Sequence, residues 1–153
     1  MTAPMRYQWS TLNRQQKGTF GEHFAKMEFA MYGFLVFSAE IDDRGIDFVA
    51  RTDSGKHFDV QVKTITRRNY TYVKKSKFAD RLVVCLVVLA EGVGPETYLF
   101  RESDWSKKTD GLLKVNSFPN AKEPEYGINV TKSRQALLEQ YRFDRVVATL
   151  VKR

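Results

Sequence analysis

Three polar residues of this 153-residue chain are spaced so that their side chains can act together. Gln61 and Lys63 lie two positions apart in the alternating segment His57-Phe-Asp-Val-Gln-Val-Lys-Thr64, so a strand there places both on one face. Asp47 belongs to the preceding apolar segment, which a short loop joins to this one. In a hairpin of the two segments, a carboxylate, an amide oxygen and an ammonium converge, which sets two oxygen donors beside a positive charge.

The elements that must position these residues follow from the apolar pattern. Residues 46–51 and 57–64 predict two strands, and the polar, glycine-containing segment 52–56 between them predicts a hairpin loop. Ser10 or Asn13 can cap a preceding helix that runs to about residue 32. In that helix Gly18, Gly21 and Glu22 belong to one face. Two glycines one turn apart suggest a close approach of this face to another backbone.

The remaining chain alternates between apolar segments and turns. Residues 82–89 are continuously apolar and predict a central strand buried on both faces, in which Cys85 is an inert core thiol. We expect further strands at 97–100, 112–115 and 127–130, a helical turn at 102–105, and a last helix from Thr131 or Ser133 to about residue 140. The prediction is an α/β fold with a mixed central β-sheet flanked by helices, formed as a single domain over residues 1–153.

The excess of positive charge is concentrated in one stretch. The chain has 25 Lys and Arg against 18 Asp and Glu, for a net charge of +7, and seven of the basic residues lie between positions 63 and 81. Cations interleaved with aromatic rings are typical of nucleic-acid-binding surfaces. The predicted contacts are Arg67, Arg68, Tyr70, Tyr72, Lys74, Lys75 and Lys77. The alternative for this stretch is a solvated edge strand protected by lysines.

Composition excludes several classes of protein. No apolar run reaches the roughly 18 residues of a membrane-spanning helix, and the first residues lack the apolar block of a secretory signal, so we expect a cytoplasmic protein with no membrane partner. One cysteine, Cys85, cannot form an internal disulfide. No group of Cys and His residues has the spacing of a zinc site.

The order of these motifs resembles that of the PD-(D/E)xK nuclease superfamily, and within it the chain is similar to small archaeal nucleases of the Holliday-junction-resolvase type. The family pattern is a helix carrying Gly-Glu, a strand with Gly-Ile-Asp and a hairpin partner reading Glu/Gln-x-Lys. The corresponding segments here are Gly21-Glu22, Gly45-Ile46-Asp47 and Gln61-Val62-Lys63. The resemblance covers about residues 15–90 and implies a restriction-endonuclease-like core.

The resemblance also implies a role for each motif residue. Asp47, the Gln61 side-chain oxygen and the Val62 carbonyl become ligands of Mg²⁺ or Mn²⁺, and such hard ions prefer oxygen donors. Glu22 completes the metal site, and Lys63 positions the nucleophile and offsets negative charge. One departure concerns Gln61, since family members most often have an acidic residue there and the amide removes a negative charge from the site. Two other acids, Asp42 and Asp43, are alternatives to Glu22.

Three functions are compatible with these observations. The leading interpretation is a metal-dependent endonuclease that hydrolyses phosphodiester bonds in DNA, with RNA not excluded as a partner, acting as a homodimer as junction resolvases do. The alternative is a non-catalytic nucleic-acid-binding protein on a nuclease fold, in which Gln61 is the sign of a metal site that has lost its function. The third is an interaction protein with no role on nucleic acid.

Overall fold

A computed structural model describes residues 5–38, 45–79, 81–106 and 111–152. Its helices and strands are α1 (Arg14–Met31), β1 (Leu35–Ser38), β2 (Phe48–Arg51), β3 (His57–Thr66), β4 (Tyr70–Lys74), β5 (Leu82–Leu89), β6 (Glu96–Arg101), α2 (Glu102–Ser106), β7 (Leu113–Asn116), β8 (Glu125–Asn129) and α3 (Phe143–Val151). Short 3₁₀ helices occupy Trp9–Thr11, Lys75–Lys77 and Gln135–Tyr141. Within these ranges no helix has the length and apolar character needed to cross a membrane.

The strands form two sheets. The central sheet has the order β1-β2-β3-β5-β6, in which only the β3–β5 pair is parallel, and the second sheet has the antiparallel order β4-β8-β7. A parallel pair needs a crossover connection, and the connection from β3 to β5 contains β4. The predicted α/β fold with a mixed central sheet is confirmed, and the basic stretch after β3 forms an edge strand of the second sheet.

Strand β5 forms the middle of the protein, with all eight of its residues buried as predicted. Alternate side chains enter two apolar clusters on opposite faces of the central sheet. One face packs against α1 and α3, and the other packs against the second sheet and Trp105 of α2. Burial raises the pKa of the Cys85 thiol, which is consistent with the inert core role predicted for it.

Helix α1 begins and ends where the sequence predicted. Asn13 is the cap: its Oδ1 accepts a hydrogen bond from Gln16 N at 2.8 Å, while Gln16 Oε1 accepts one from Asn13 N at 2.8 Å. Ser10, the other candidate, binds Glu91 instead. Gly33 follows the helix with a φ of +88°, a left-handed conformation that favours glycine. The face of the helix that carries Gly21 is buried against the central sheet.

The C-terminal part differs from the sequence prediction. The helix expected to end near residue 140 is the 3₁₀ segment Gln135–Tyr141, and the α-helix comes afterwards, as α3. Thr131 and Ser133, the expected caps, contact each other through their hydroxyl groups at 3.2 Å. The prediction missed the spacing of Phe143, Val147 and Leu150, which places three buried side chains on one helical face.

Candidate active site

The polar residues singled out in the sequence lie where the β2–β3 ladder ends. Phe48 is opposite Val60 in this ladder, and a continued register would place Asp47 opposite Gln61. Instead, the Asp47 N–H donates to the Val60 carbonyl at 2.9 Å, so its partner is one residue before the one that the register would give. Asp47 therefore directly precedes β2, rather than lying within the predicted strand 46–51. From Gln61 onward, no described strand pairs with β3 on this edge.

Asp47 bridges to β3 through its side chain. Its Oδ2 accepts a hydrogen bond from the Val62 N–H at 2.6 Å. In a strand, the N–H and C=O of one residue point to the same side. In β3 those of the odd-numbered residues point to β5, because Asp59 N donates to Arg81 O. Those of the even-numbered residues, including Val62, point the other way. The Val62 carbonyl consequently faces the same open edge as the Asp47 carboxylate. Two of the proposed ligand oxygens share this edge.

Gln61 supplies a third oxygen. Its Oε1 is buried and accepts no hydrogen bond from any described residue. Leaving a buried acceptor without a partner costs roughly 1–3 kcal/mol of folding free energy, so a cation or donor bound at this oxygen would recover that cost. Gly45 makes room for the amide, because a Cβ at that position would stand 3.2 Å from Gln61 Nε2. An amide oxygen fits the preference of Mg²⁺ or Mn²⁺ for oxygen donors, as do the Asp47 carboxylate and the Val62 carbonyl.

Glu22 and Lys63 line one groove of about 590 Å³ between α1, the end of β3 and the start of β4. The sequence predicted these two side chains in a common cleft with Asp47 and Gln61. Glu22 and Lys63 line this groove, whereas Asp47 and Gln61 are not among its lining residues. Val62 lines the same groove. Gly21, the residue before Glu22, lies directly against the side chain of Thr64, the residue after Lys63. This contact is the close approach that the helix glycines suggested.

The groove has further cations that the sequence analysis did not single out. Arg14 and Lys17 of α1 line it with Lys63, and they precede Gly18 and Gly21 by the four positions that keep neighbours on one side of a helix. That spacing was the signal available in the sequence. Three basic side chains and one carboxylate thus line the groove at the end of β3.

The tyrosine pair of β4 lies next to this groove. Tyr70 lines the groove, and its ring centroid is 6.1 Å from that of Tyr72, with 26° between the ring planes. Both rings are partly exposed, at 36% and 40%, on the face of the second sheet that points away from the core. The alternation rule predicted this shared face. Stacked, partly exposed tyrosines can accept an unpaired base.

Contacts across the second sheet hold Tyr70 in place. A Cβ on Gly127 would lie 2.5 Å from the Tyr70 ring, so the glycine of β8 makes the close approach of this ring possible. Asn116 Nδ2 donates to the Tyr70 hydroxyl at 2.9 Å, and this hydroxyl donates to Glu125 Oε2 at 3.4 Å. Burial raises the pKa of Tyr70, which keeps its hydroxyl neutral and able to donate.

The lysines at the end of β4 and just after it have acidic neighbours from a distant part of the chain. Lys74 is opposite Glu125 in the β4–β8 ladder. Glu123 accepts hydrogen bonds from both the N–H and the hydroxyl of Ser76 at 2.8 Å, and these bonds lower its pKa. The positive field of this stretch, which includes Lys75 and Lys77, is therefore weaker than its local composition indicated.

Arg67 and Arg68 form the exposed turn between β3 and β4, at the end of the groove. Arg67 has a φ of +54°, in the left-handed region that residues other than glycine seldom adopt. Its N–H donates to the Leu89 carbonyl at 2.8 Å, and Arg68 Nε donates to Gln135 Oε1 at 3.5 Å. Both arginines thus belong to the exposed connection between β3, which carries the candidate active site, and β4 of the second sheet.

The carboxylate count of the site is low. Among the residues the structure describes, no three or more His, Cys, Asp or Glu side chains group as a metal site would require. Asp42 and Asp43, the alternatives to Glu22, lie outside the described ranges. The proposed oxygen donors are the carboxylates of Asp47 and Glu22, the amide oxygen of Gln61 and the carbonyl of Val62. These groups can ligate a divalent cation, but they carry only two negative charges.

Comparison with solved structures identifies the fold. The chain is similar to Hjc, a Holliday junction resolvase from the archaeal hyperthermophile Archaeoglobus fulgidus, with a TM-score of 0.54, 13% identity, and coverage of 86% of this chain and 96% of that one. It is also similar to the bacterial homing endonuclease I-Ssp6803I, with a TM-score of 0.52, 16% identity, and coverage of 93% and 99%. Neither a sequence-family model nor a curated protein sequence matches. The restriction-endonuclease-like nuclease fold implied by the sequence motifs is confirmed.

Proposed function

We propose that this protein is a metal-dependent endonuclease that hydrolyses phosphodiester bonds in DNA at the open edge of β3. The observation that carries the proposal is the buried Gln61 Oε1 with no described hydrogen-bond partner, located on a nuclease fold beside the Asp47–Val62 contact. A divalent cation with oxygen ligands satisfies this atom. The likeness to a resolvase and a homing endonuclease supports DNA as the substrate, because both are DNA-cutting proteins by name.

In this proposal Asp47, Gln61, the Val62 carbonyl and Glu22 hold Mg²⁺ or Mn²⁺. When bound, the ion lowers the pKa of a coordinated water and stabilises negative charge on the phosphate. The hydrogen bond from Val62 N–H fixes the Asp47 carboxylate at the edge of the sheet. Lys63 holds the attacking oxygen and offsets the charge that develops on the phosphate.

The substrate follows the groove and its basic surroundings. Arg14 and Lys17 contact phosphates on the α1 side, and Arg67 and Arg68 contact them at the turn after β3. Tyr70 and Tyr72 stack on a base, with Lys74, Lys75 and Lys77 binding the backbone beyond them.

A non-catalytic nucleic-acid-binding protein is the second candidate, and a specific observation favours it. The site has only Asp47 and Glu22 as described carboxylates, and an amide replaces the usual third. A protein with this role keeps the groove and the basic turn, but binds divalent metal weakly and cuts nothing.

We also propose that the whole chain is one cytoplasmic nuclease domain that pairs as a homodimer. The exposed apolar residues Met27, Met31, Leu35 and Phe37, which are 49–78% exposed, belong to the second half of α1 and the edge strand β1. Apolar surface of this kind is usually covered by a partner. Light scattering at tens of micromolar should give about twice the 17.7 kDa of one chain, and a mass of one chain contradicts the pairing.

The experiment that tests the function is cleavage of supercoiled, branched and single-stranded DNA, and of RNA, with Mg²⁺, with Mn²⁺ and with EDTA. We expect metal-dependent cutting of DNA that EDTA stops and that Asp47→Ala abolishes while DNA binding remains. Asp53→Ala, an exposed aspartate in the β2–β3 loop, is the matched control and should cut like the unmodified protein. Metal-dependent binding of DNA without any cutting would favour the second candidate, and cutting that resists both EDTA and Asp47→Ala would contradict the site.

A further inference from the structure

A second and larger groove, of about 920 Å³, lies at the other end of the central sheet from the candidate active site. It opens where β3 and β5 begin and where β6 ends, with residues of α2 and α3 on its sides. Its basic residues come from four separate parts of the chain: Lys56, His57, Arg81, Arg101 and Lys152. Glu102 is the one carboxylate among its described lining residues.

Three of the cations in this groove are available to a ligand. Lys56, Arg81 and Lys152 form no ion pair with any described residue. The Arg101 guanidinium lies over the Phe58 ring, 5.9 Å from its centroid, a contact that orients the group in the groove. Hydroxyl groups of the lining serines and threonine stand among these cations. Cations and hydroxyl donors with almost no negative charge suit a ligand that carries several phosphates.

The groove is too far from the candidate active site to hold the same phosphate. His57 lines this groove and Lys63 lines the other, and six residues of extended strand separate them. At about 3.3 Å per residue the two points are roughly 20 Å apart, which corresponds to about six base pairs of duplex DNA. A ligand at both ends of the sheet must therefore be long or branched.

We propose that this sheet-end groove binds the phosphodiester backbone of a second stretch of nucleic acid, separate from the stretch at the candidate active site. The choice of nucleic acid as the ligand rests on the proposed function. The spread of the cations over four segments and over a wide, open groove favours a backbone with several phosphates over a single free phosphate.

Photo-cross-linking tests the groove, because the chain has one cysteine, and Cys85 is fully buried and does not compete for a thiol-reactive probe. Ser103→Cys places a benzophenone probe on an exposed residue of the sheet-end groove. Gly18→Cys places one in the candidate active groove, where a Cβ has no neighbour within 4 Å. Ser133→Cys, exposed and outside both grooves, is the control.

We expect Ser103→Cys and Gly18→Cys to cross-link a labelled 40-base-pair duplex or four-way junction at least tenfold more than Ser133→Cys. Excess unlabelled DNA should remove the Ser103→Cys product, while millimolar inorganic phosphate should leave it in place. Cross-linking from Gly18→Cys alone overturns the sheet-end site and leaves the proposed function intact. Cross-linking from Ser103→Cys alone keeps the sheet-end site and contradicts the proposed active groove. Loss of the Ser103→Cys product in phosphate would overturn the backbone assignment in favour of a free phosphate.

Discussion

Gly21 of α1 lies directly against the side chain of Thr64 in β3. The sequence neighbours of these two residues are Glu22 and Lys63, which line the same groove. A side chain larger than hydrogen at position 21 would meet Thr64 and push the helix away from the strand. The glycine therefore sets how closely α1 packs against the segment of β3 that precedes and follows Thr64.

Gly21→Ala should destabilise the protein, by about 1–3 kcal/mol in the free energy of unfolding, because the added methyl group overlaps the Thr64 side chain. Gly18→Ala is the matched control in the same helix. Its Cβ meets nothing within 4 Å, and replacing a helical glycine by alanine should stabilise the protein by up to about 1 kcal/mol. Urea unfolding of the two variants measures the difference, and equal midpoints would mean that the Gly21 contact does not constrain the helix.

Gln61→Glu should tighten the binding of Mn²⁺, because it restores a carboxylate to a site that has few. The turnover rate need not rise with affinity, since a carboxylate at this position can form an ion pair with Lys63. Isothermal titration calorimetry with Mn²⁺ should show at least a tenfold lower dissociation constant. The control is Gln135→Glu, an exposed glutamine in the 3₁₀ segment before α3. An equal gain in that variant would assign the effect to net charge alone.

Lys63→Gln should reduce turnover while leaving affinity for DNA nearly unchanged. In the proposed mechanism the ammonium acts on the nucleophile and on charge that develops in the transition state, so we expect a loss of about 10²-fold or more in kcat. Binding to uncleaved DNA in Ca²⁺ should change by less than about threefold. Lys17→Gln, in the same groove, serves as the comparison and should weaken binding more than turnover. The reverse ordering of the two variants would assign Lys63 to substrate binding.

Replacing Lys74, Lys75 and Lys77 by alanine should weaken DNA binding equally for all sequences. The slope of log affinity against log salt should flatten by up to about three units if all three contact phosphate. The neighbouring Glu123 and Glu125 reduce the expected change, because they already neutralise part of this charge. Fluorescence anisotropy across a range of salt concentrations gives the slope, and an unchanged slope would assign the lysines to a plain solvated edge.

Local patterns in the sequence were sufficient for much of the core and of the site. The alternation of β3 predicted that Gln61 and Lys63 share a face, and the unbroken apolar run of β5 predicted burial on both sides. The Asn13 cap and the glycines of α1 predicted where the helix begins and which face packs. Each of these features depends on residues within a few positions of one another.

The features that escaped prediction depend on pairing between distant segments. The second sheet joins Tyr70 to Gly127 and Lys74 to Glu125, about fifty positions along the chain, and no local period indicates such a pairing. The hydrogen bond from Val62 to Asp47 requires the β2–β3 register to break at Val60, which hydrophobic alternation does not specify. Helix α3 does not belong to this group. Its i, i+4, i+7 apolar spacing is visible in the sequence, so a local pattern was sufficient to predict it.

The central claim is that the open edge of β3 is a metal site, and diffraction at the manganese absorption edge from crystals soaked in Mn²⁺ tests it most directly. We expect one anomalous peak within coordination distance, about 2.0–2.3 Å, of the Asp47 carboxylate, Gln61 Oε1 and the Val62 carbonyl. Crystals of Asp47→Asn should lose that peak. A fully soaked crystal with no peak at this edge, or with manganese bound only elsewhere on the protein, would contradict the account.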